Sequence, residues 1–135
     1  KIEFKRFTDG RGDLIPLEFG GGHDIPFEVK RCYFVSAPTN SDGAVRGKHA
    51  HKEIEQVIIA AHGSFTLDLD DGKGNKESIT LDKTCLGIHT KDKIWRELRD
   101  FSNDCVILVL ASQHYDEDDY IRDYDQFLEI VNKPD

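Results

Sequence analysis

His49, Ala50 and His51 set two imidazoles two positions apart. In an extended segment such residues point to the same side of a sheet, so both rings would share one surface. Two imidazoles on one surface can do two kinds of chemistry. With an unperturbed pKa of about 6.5, a neutral histidine accepts and returns a proton near neutral pH. The same pair can also supply two ligands to a transition metal. Six histidines in 135 residues produce this spacing by chance roughly a quarter of the time, so the pair carries little by itself. Its setting carries more. Arg46 and Gly47 stand just before it, a strand follows, and Gly63 closes that strand. His23, His62, His89 and His114 have no motif around them and read as structural or exposed.

The elements that must position these rings read as short strands. Phe27 to Val35 alternates for several residues and ends at Ser36-Ala37-Pro38. Gln56 to Ala61 is a short apolar run. Ser64 to Leu69 alternates cleanly, with Phe65, Leu67 and Leu69 on one face. The turn-rich Asp70 to Asn75 follows, and Ser78 to Leu81 resumes the pattern, which predicts a hairpin. Cys105 to Leu110 is the most apolar run and reads as a strand buried on both faces. Strands about ten residues apart, separated by turn signals, argue for an all-β sandwich or barrel. From Asp116 the pattern changes, with Tyr120, Tyr124, Phe127 and Val131 recurring at three or four. That predicts one amphipathic helix against the sheet, with Asp116 to Asp119 as its solvated N-terminus. Pro38 to Lys48 is a polar loop long enough to shape a site.

Composition bounds the rest. The chain is 38% hydrophobic and 33% charged, enough apolar content for one modest core over 1–135. Its net charge of −8 disfavours nucleic-acid binding through general electrostatics. No stretch approaches the roughly 20 apolar residues of a membrane span. The opening Lys1-Ile2-Glu3-Phe4 has no apolar signal-peptide core, and the cysteine usage leads to the expectation of a cytoplasmic location. Cys32, Cys85 and Cys105 are odd in number and widely spaced, and Cys32 and Cys105 read as reduced, buried thiols.

Gly47, His49, His51, Gln56 and Gly63, at this spacing, resemble the first motif of the cupin superfamily. Cupins are small barrels of two packed antiparallel sheets with the site inside. The resemblance therefore implies an all-β, RmlC-like jelly-roll barrel with a C-terminal α-helix. The usual cupin carries a metal-binding Glu near position 56 and a metal-binding His where Arg96 stands. Gln56 and Arg96 in those places leave a metal only two of its usual four protein ligands, which implies a site without metal unless Glu53 or Glu55 substitutes. The similarity extends to Asp9–Leu14, Lys30–Phe34, Arg46–Lys52, Gln56-Val57, Asp100–Cys105 and Ala111–Tyr124. Together these resemble the sugar 3,4-ketoisomerases, WxcM-like and of FdtA/QdtA type, over nearly the whole chain. Lys48 and Arg96 depart from the family pattern, which favours an aromatic residue and a histidine there.

That resemblance implies an isomerase of dTDP-4-keto-6-deoxyglucose. It would move the keto group from C4 to C3 toward 3-amino or 3-acetamido sugars of surface polysaccharides such as O-antigen and S-layer glycan. No cofactor is implied, because the two carbons exchange oxidation states internally. A homodimer is implied, and some relatives carry the domain within a larger acyltransferase fusion. His49 would shuttle the proton between C3 and C4 while His51 serves the oxygens, with the two roles interchangeable at this stage. Tyr33 and Gln56 would orient the hexose. Guanidinium groups suit phosphate oxygens, so Arg11, Arg31 and Arg46 are candidates for the diphosphate, with Arg96 and Lys48 behind them. Trp95 or Tyr33 would stack on thymine or fill the core. The competing readings are a 3,5-epimerase of the same substrate, a metal-dependent cupin and a non-catalytic sugar-binding cupin.

Overall fold

The structure, a computed structural model, describes residues 1–20, 22–36 and 44–134. Closely spaced turn residues cut the strand-forming sequence into short pieces. In chain order these are β1 (Ile2–Glu3), β2 (Phe7–Asp9), β3 (Gly12–Leu14), β4 (Arg31–Ser36), β5 (Arg46–His51) and β6 (Gln56–His62). Then come β7 (Phe65–Asp70), β8 (Lys76–Leu81), β9 (Leu86–Thr90), β10 (Trp95–Arg99), β11 (Val106–Ala111) and β12 (Tyr120–Ile121), before the helix α1 (Tyr124–Val131). One antiparallel sheet runs β1-β9-β6-β11-β4, its partner β12-β5-β10-β7-β8, and β2 with β3 forms a separate hairpin.

The two sheets face each other. Ile58, Ala60, Ile107 and Val109 from the first pack on Phe65, Leu67, Ile79 and Leu81 from the second. The outer face of the first sheet is covered as well, because Val57, Ile59 and Leu110 meet Phe4 and Ile25 of the N-terminal segment. Contact on both faces is why the segments at β6 and β11 read as continuous apolar runs. The β7–β8 hairpin forms in the expected place, with Phe65 opposite Leu81 and Asp70 opposite Lys76.

The outer face of the second sheet is covered by α1. Ala50, Trp95 and Ile121 pack against Phe127, which is fully buried. Burying that ring is worth about 2–3 kcal/mol. The helix starts later than its periodicity suggests. Residues 117–119 form a single 3₁₀ turn, and Tyr120 and Ile121 pair with His51 and Ala50 of β5. An aromatic next to a β-branched residue suits a strand, and pairing there buries Ile121 against Ala50. Asp123 then caps α1, its side chain accepting from Gln126 N at 3.1 Å.

Two other expectations need correction. Cys105 is buried, but Cys32 is exposed, because β4 is an edge strand and alternate residues turn its outer face to solvent. Of the polar loop Pro38 to Lys48, residues 38–43 lie outside the described residues, and 46–48 belong to β5. Among the described residues no helix is long and apolar enough to cross a membrane.

Candidate active site

A bulge aims the two histidines. Arg96 lies opposite His49 and Leu98 opposite Arg46, so three steps along β5 span two along β10. Gly47 absorbs the extra residue with φ 67°, and a Cβ there would stand 2.9 Å from Leu98 Cδ1. Only glycine takes both the left-handed backbone and the close approach. Beyond the bulge, alternation sends Ala50 outward to the helix layer and His49 and His51 into the barrel. The rings meet edge to face, with their Nε2 atoms 3.2 Å apart.

The residues facing them come from both sheets. Across the first sheet, Arg31 pairs with Ala111, Ala111 with Gln56, and Gln56 with Thr90. The small Ala111 leaves room between longer polar neighbours. From the second sheet Arg96 reaches across the barrel, its Nη1 donating to Gln56 Oε1 at 2.6 Å and to Thr90 Oγ1 at 2.9 Å. Its Nη2 donates to the Ile94 carbonyl at 3.1 Å, and Nε has no partner. Gln56 Nε2 in turn donates to Tyr33 OH at 3.1 Å. The interior is thus apolar at one end and polar at the end holding the histidines. Tyr120 closes one side, its ring centroid 5.1 Å from His49 and 4.5 Å from His51.

Arg96 is 1% exposed, and among the described residues no carboxylate pairs with it. Burial brings its pKa down to about 10. Burial, then the Arg96 guanidinium, hold His49 at about 3, with smaller contributions from His51 and Arg122. The same two causes, followed by Arg31 and Arg122, bring His51 to about 3. Burial pushes the Tyr33 phenol up. Both imidazoles are therefore neutral across the physiological range, ready to take a proton beside a fixed positive charge that would stabilise an anion. Across the barrel the rings face an amide and a guanidinium, poor company for a cation, and the one carboxylate in contact with them among the described residues, Asp119, meets His51 from behind at Nδ1. Among the described residues no set of three or more His, Cys, Asp or Glu side chains is placed to hold a metal ion.

The FdtA family, described as WxcM-like, C-terminal, matches residues 1–132. This chain belongs to that family. A curated relative, the TDP-4-oxo-6-deoxy-α-D-glucose-3,4-oxoisomerase of Aneurinibacillus thermoaerophilus, is 44% identical over 132 residues, which is 98% of this chain and 91% of the relative. The crystal structure of a 3,4-ketoisomerase from Helicobacter canadensis superposes with a TM-score of 0.89 at 45% identity, covering 98% of this chain and 96% of that one. That of the 3,4-ketoisomerase QdtA from Thermoanaerobacterium thermosaccharolyticum, a mutant in complex with TDP-4-keto-6-deoxyglucose, gives 0.90 at 39% identity, covering 98% and 92%. The fold is accordingly the RmlC-like cupin barrel.

Within this FdtA-family chain the barrel brings together five of the ten residues singled out in the sequence: His49, His51, Gln56, Tyr33 and Arg96. Arg31 stands near them, its guanidinium 4.5 Å from the Tyr33 ring centroid and 5.2 Å from that of Tyr115. Arg46 lies before the bulge, exposed, with Nη1 3.3 Å from the Ser36 carbonyl. Arg11 is on the β2–β3 hairpin, its side chain 92% exposed and paired with Asp9 at 2.9 Å. Trp95 takes the second of its two expected places, in the core. It neighbours Arg96 on a strand and so faces the other way, into the helix layer, 5.3 Å from Tyr124 and 5.7 Å from Phe127.

Three residues of the site were not singled out. Thr90 carries no sequence signal beyond its strand. Tyr120 and Asp119 were assigned to the helix and its solvated start, but Asp119 is 6% exposed, with Oδ2 3.0 Å from His51 Nδ1. The available signal was the Tyr120-Ile121 pair, a strand-like dipeptide inside a helical pattern.

Proposed function

We propose that the chain is a 3,4-ketoisomerase of TDP-4-keto-6-deoxyglucose that works by histidine-mediated proton transfer without metal or redox cofactor. It acts as a cytoplasmic homodimer and feeds the synthesis of 3-amino or 3-acetamido deoxysugars. The observation that carries this reading is the pair of imidazoles inside the barrel, opposite a guanidinium that pairs with no carboxylate among the described residues.

The C4 carbonyl acidifies the proton on C3. His49 removes it, and the electron pair of the C3–H bond forms a C3–C4 double bond while O4 becomes anionic. Arg96 stabilises that enediolate, and the negative charge in turn offsets the cost of an imidazolium so close to a guanidinium. His51 takes the proton from the C3 hydroxyl and returns it to O4. His49 then delivers its proton to C4, leaving the carbonyl at C3 with all atoms and electrons accounted for. Tyr33 and Gln56 orient the hexose. In a chain of net charge −8 the diphosphate needs local cations. Arg31, between two tyrosine rings, is placed for one phosphate oxygen, and Arg46 serves a second from the rim. Arg11, engaged by Asp9, and Trp95, in the helix layer, receive no such role.

Incubation with TDP-4-keto-6-deoxyglucose should yield a 3-keto isomer of unchanged mass, trapped as a 3-amino sugar by a 3-aminotransferase. His49→Asn should lower turnover by about 100- to 10,000-fold with an unchanged circular dichroism spectrum. No isomer at saturating protein would remove the proposal, and deuterium from solvent appearing at C5 would replace it with a 3,5-epimerase.

A further inference from the structure

Asp119 is the last of four consecutive acidic residues, Asp116 to Asp119, and the buried one among three exposed neighbours. Its carboxylate receives two backbone donors, Glu53 N to Oδ1 at 2.9 Å and Ile54 N to Oδ2 at 3.2 Å. Its own backbone carbonyl accepts from Lys52 N at 3.0 Å, so the residue is stitched to the turn after β5 on three consecutive amides. The remaining neighbour of Oδ2 is His51 Nδ1 at 3.0 Å, with the imidazole fully buried. A carboxylate accepts and cannot donate, which leaves a neutral His51 one way to make this contact, with its proton on Nδ1.

We propose that Asp119 is a positioning residue for the proton transfer: it locks His51 as the Nδ1–H tautomer and keeps a bare Nε2 aimed into the barrel. In this structure His51 Nε2 lies 3.2 Å from His49 Nε2, on the side of the ring away from Asp119. Moving a proton from O3 to O4 requires His51 to accept before it donates. A proton already on Nε2 would block the first half of that step, so the orientation of the ring and the choice of tautomer are both set from its far side. This inference rests on the role given to His51 above.

Two measurements test it, and the first needs no substrate. In the wild-type protein the ¹⁵N resonances of His51 should show a protonated Nδ1 and an unprotonated Nε2; the reverse would overturn the proposal whatever the enzyme's reaction proves to be. The second is Asp119→Asn. The amide oxygen keeps the Glu53 N–H, so the NH₂ group takes the place of Oδ2 and donates to Nδ1, forcing the proton to Nε2. Turnover should fall by about 100- to 10,000-fold, with KM changed by less than about threefold. The variant loses only the long bond from Ile54, so its melting temperature should fall by no more than about 4 °C. Unchanged kcat, or a loss of kcat with the His51 tautomer unchanged, would reduce Asp119 to a structural clamp. If the variant does not fold, the wild-type spectrum still decides.

Discussion

Arg96 governs the chemistry of the pocket at the scale of single residues. Among the described residues its buried guanidinium has no carboxylate partner, a state that costs several kcal/mol and is offset here by hydrogen bonds to Gln56, Thr90 and the Ile94 carbonyl. Burial, with Arg96 as the second cause, holds both histidines low and makes stability depend on pH in a definite direction. Above pH 6.5 the imidazoles are neutral whether the chain is folded or not. Between there and about pH 3, where His49 and His51 titrate when folded, the unfolded chain binds protons that the folded one refuses. Stability therefore falls with pH in that window, by up to about 1.4 kcal/mol per unit for each ring. Thermal melts from pH 7 to pH 4 should decline accordingly, and His51→Asn should flatten the curve. A wild-type melting temperature constant over that range would show that the rings titrate alike in both states.

Among the elements, β5 has the most exacting task, since one strand must bury Ala50 on one face and both histidines on the other. The bulge at Gly47 sets the phase. Gly47→Ala puts an L-residue at φ 67° with its Cβ against Leu98, so it should destabilise by about 1–3 kcal/mol. It should also lower kcat by about 100-fold, because His49 is two residues away and small displacements of a reacting group are costly. Gly63→Ala is the matching control. Its Cβ would collide with Ser102 Oγ and stand 3.0 Å from Cys105 Cα with φ 71°, at the apolar end of the barrel. It should destabilise at least as much while the folded fraction keeps its kcat. Equal effects on kcat in both variants would show that the bulge does not aim the histidine. At this scale the hairpin of β7 and β8 and the runs at β6 and β11 were legible because their patterns are local. The late start of α1 was not, because the pairing of Tyr120 and Ile121 with β5 crosses some 70 residues of chain.

As a whole molecule, the barrel wraps its polar end with tyrosines and leaves large apolar side chains outside. Phe34 is 67% exposed, Leu14 65% and Phe19 49%, apolar area that the proposed homodimer would have reason to cover. Sedimentation equilibrium should give a mass near twice the 15.4 kDa of one chain, and a monomer would overturn the homodimer. Sequence alone determined the all-β class, the two imidazoles on one face and the family, since alternation, turn chemistry and motif spacing are properties of neighbouring residues. The three-dimensional arrangement decided the rest. Which arginine faces the rings, why Trp95 does not, and which of four consecutive acids grips His51 depend on contacts between segments far apart in the chain. Strand register and bulges set those contacts, and a shift of one residue reverses every side chain on a strand.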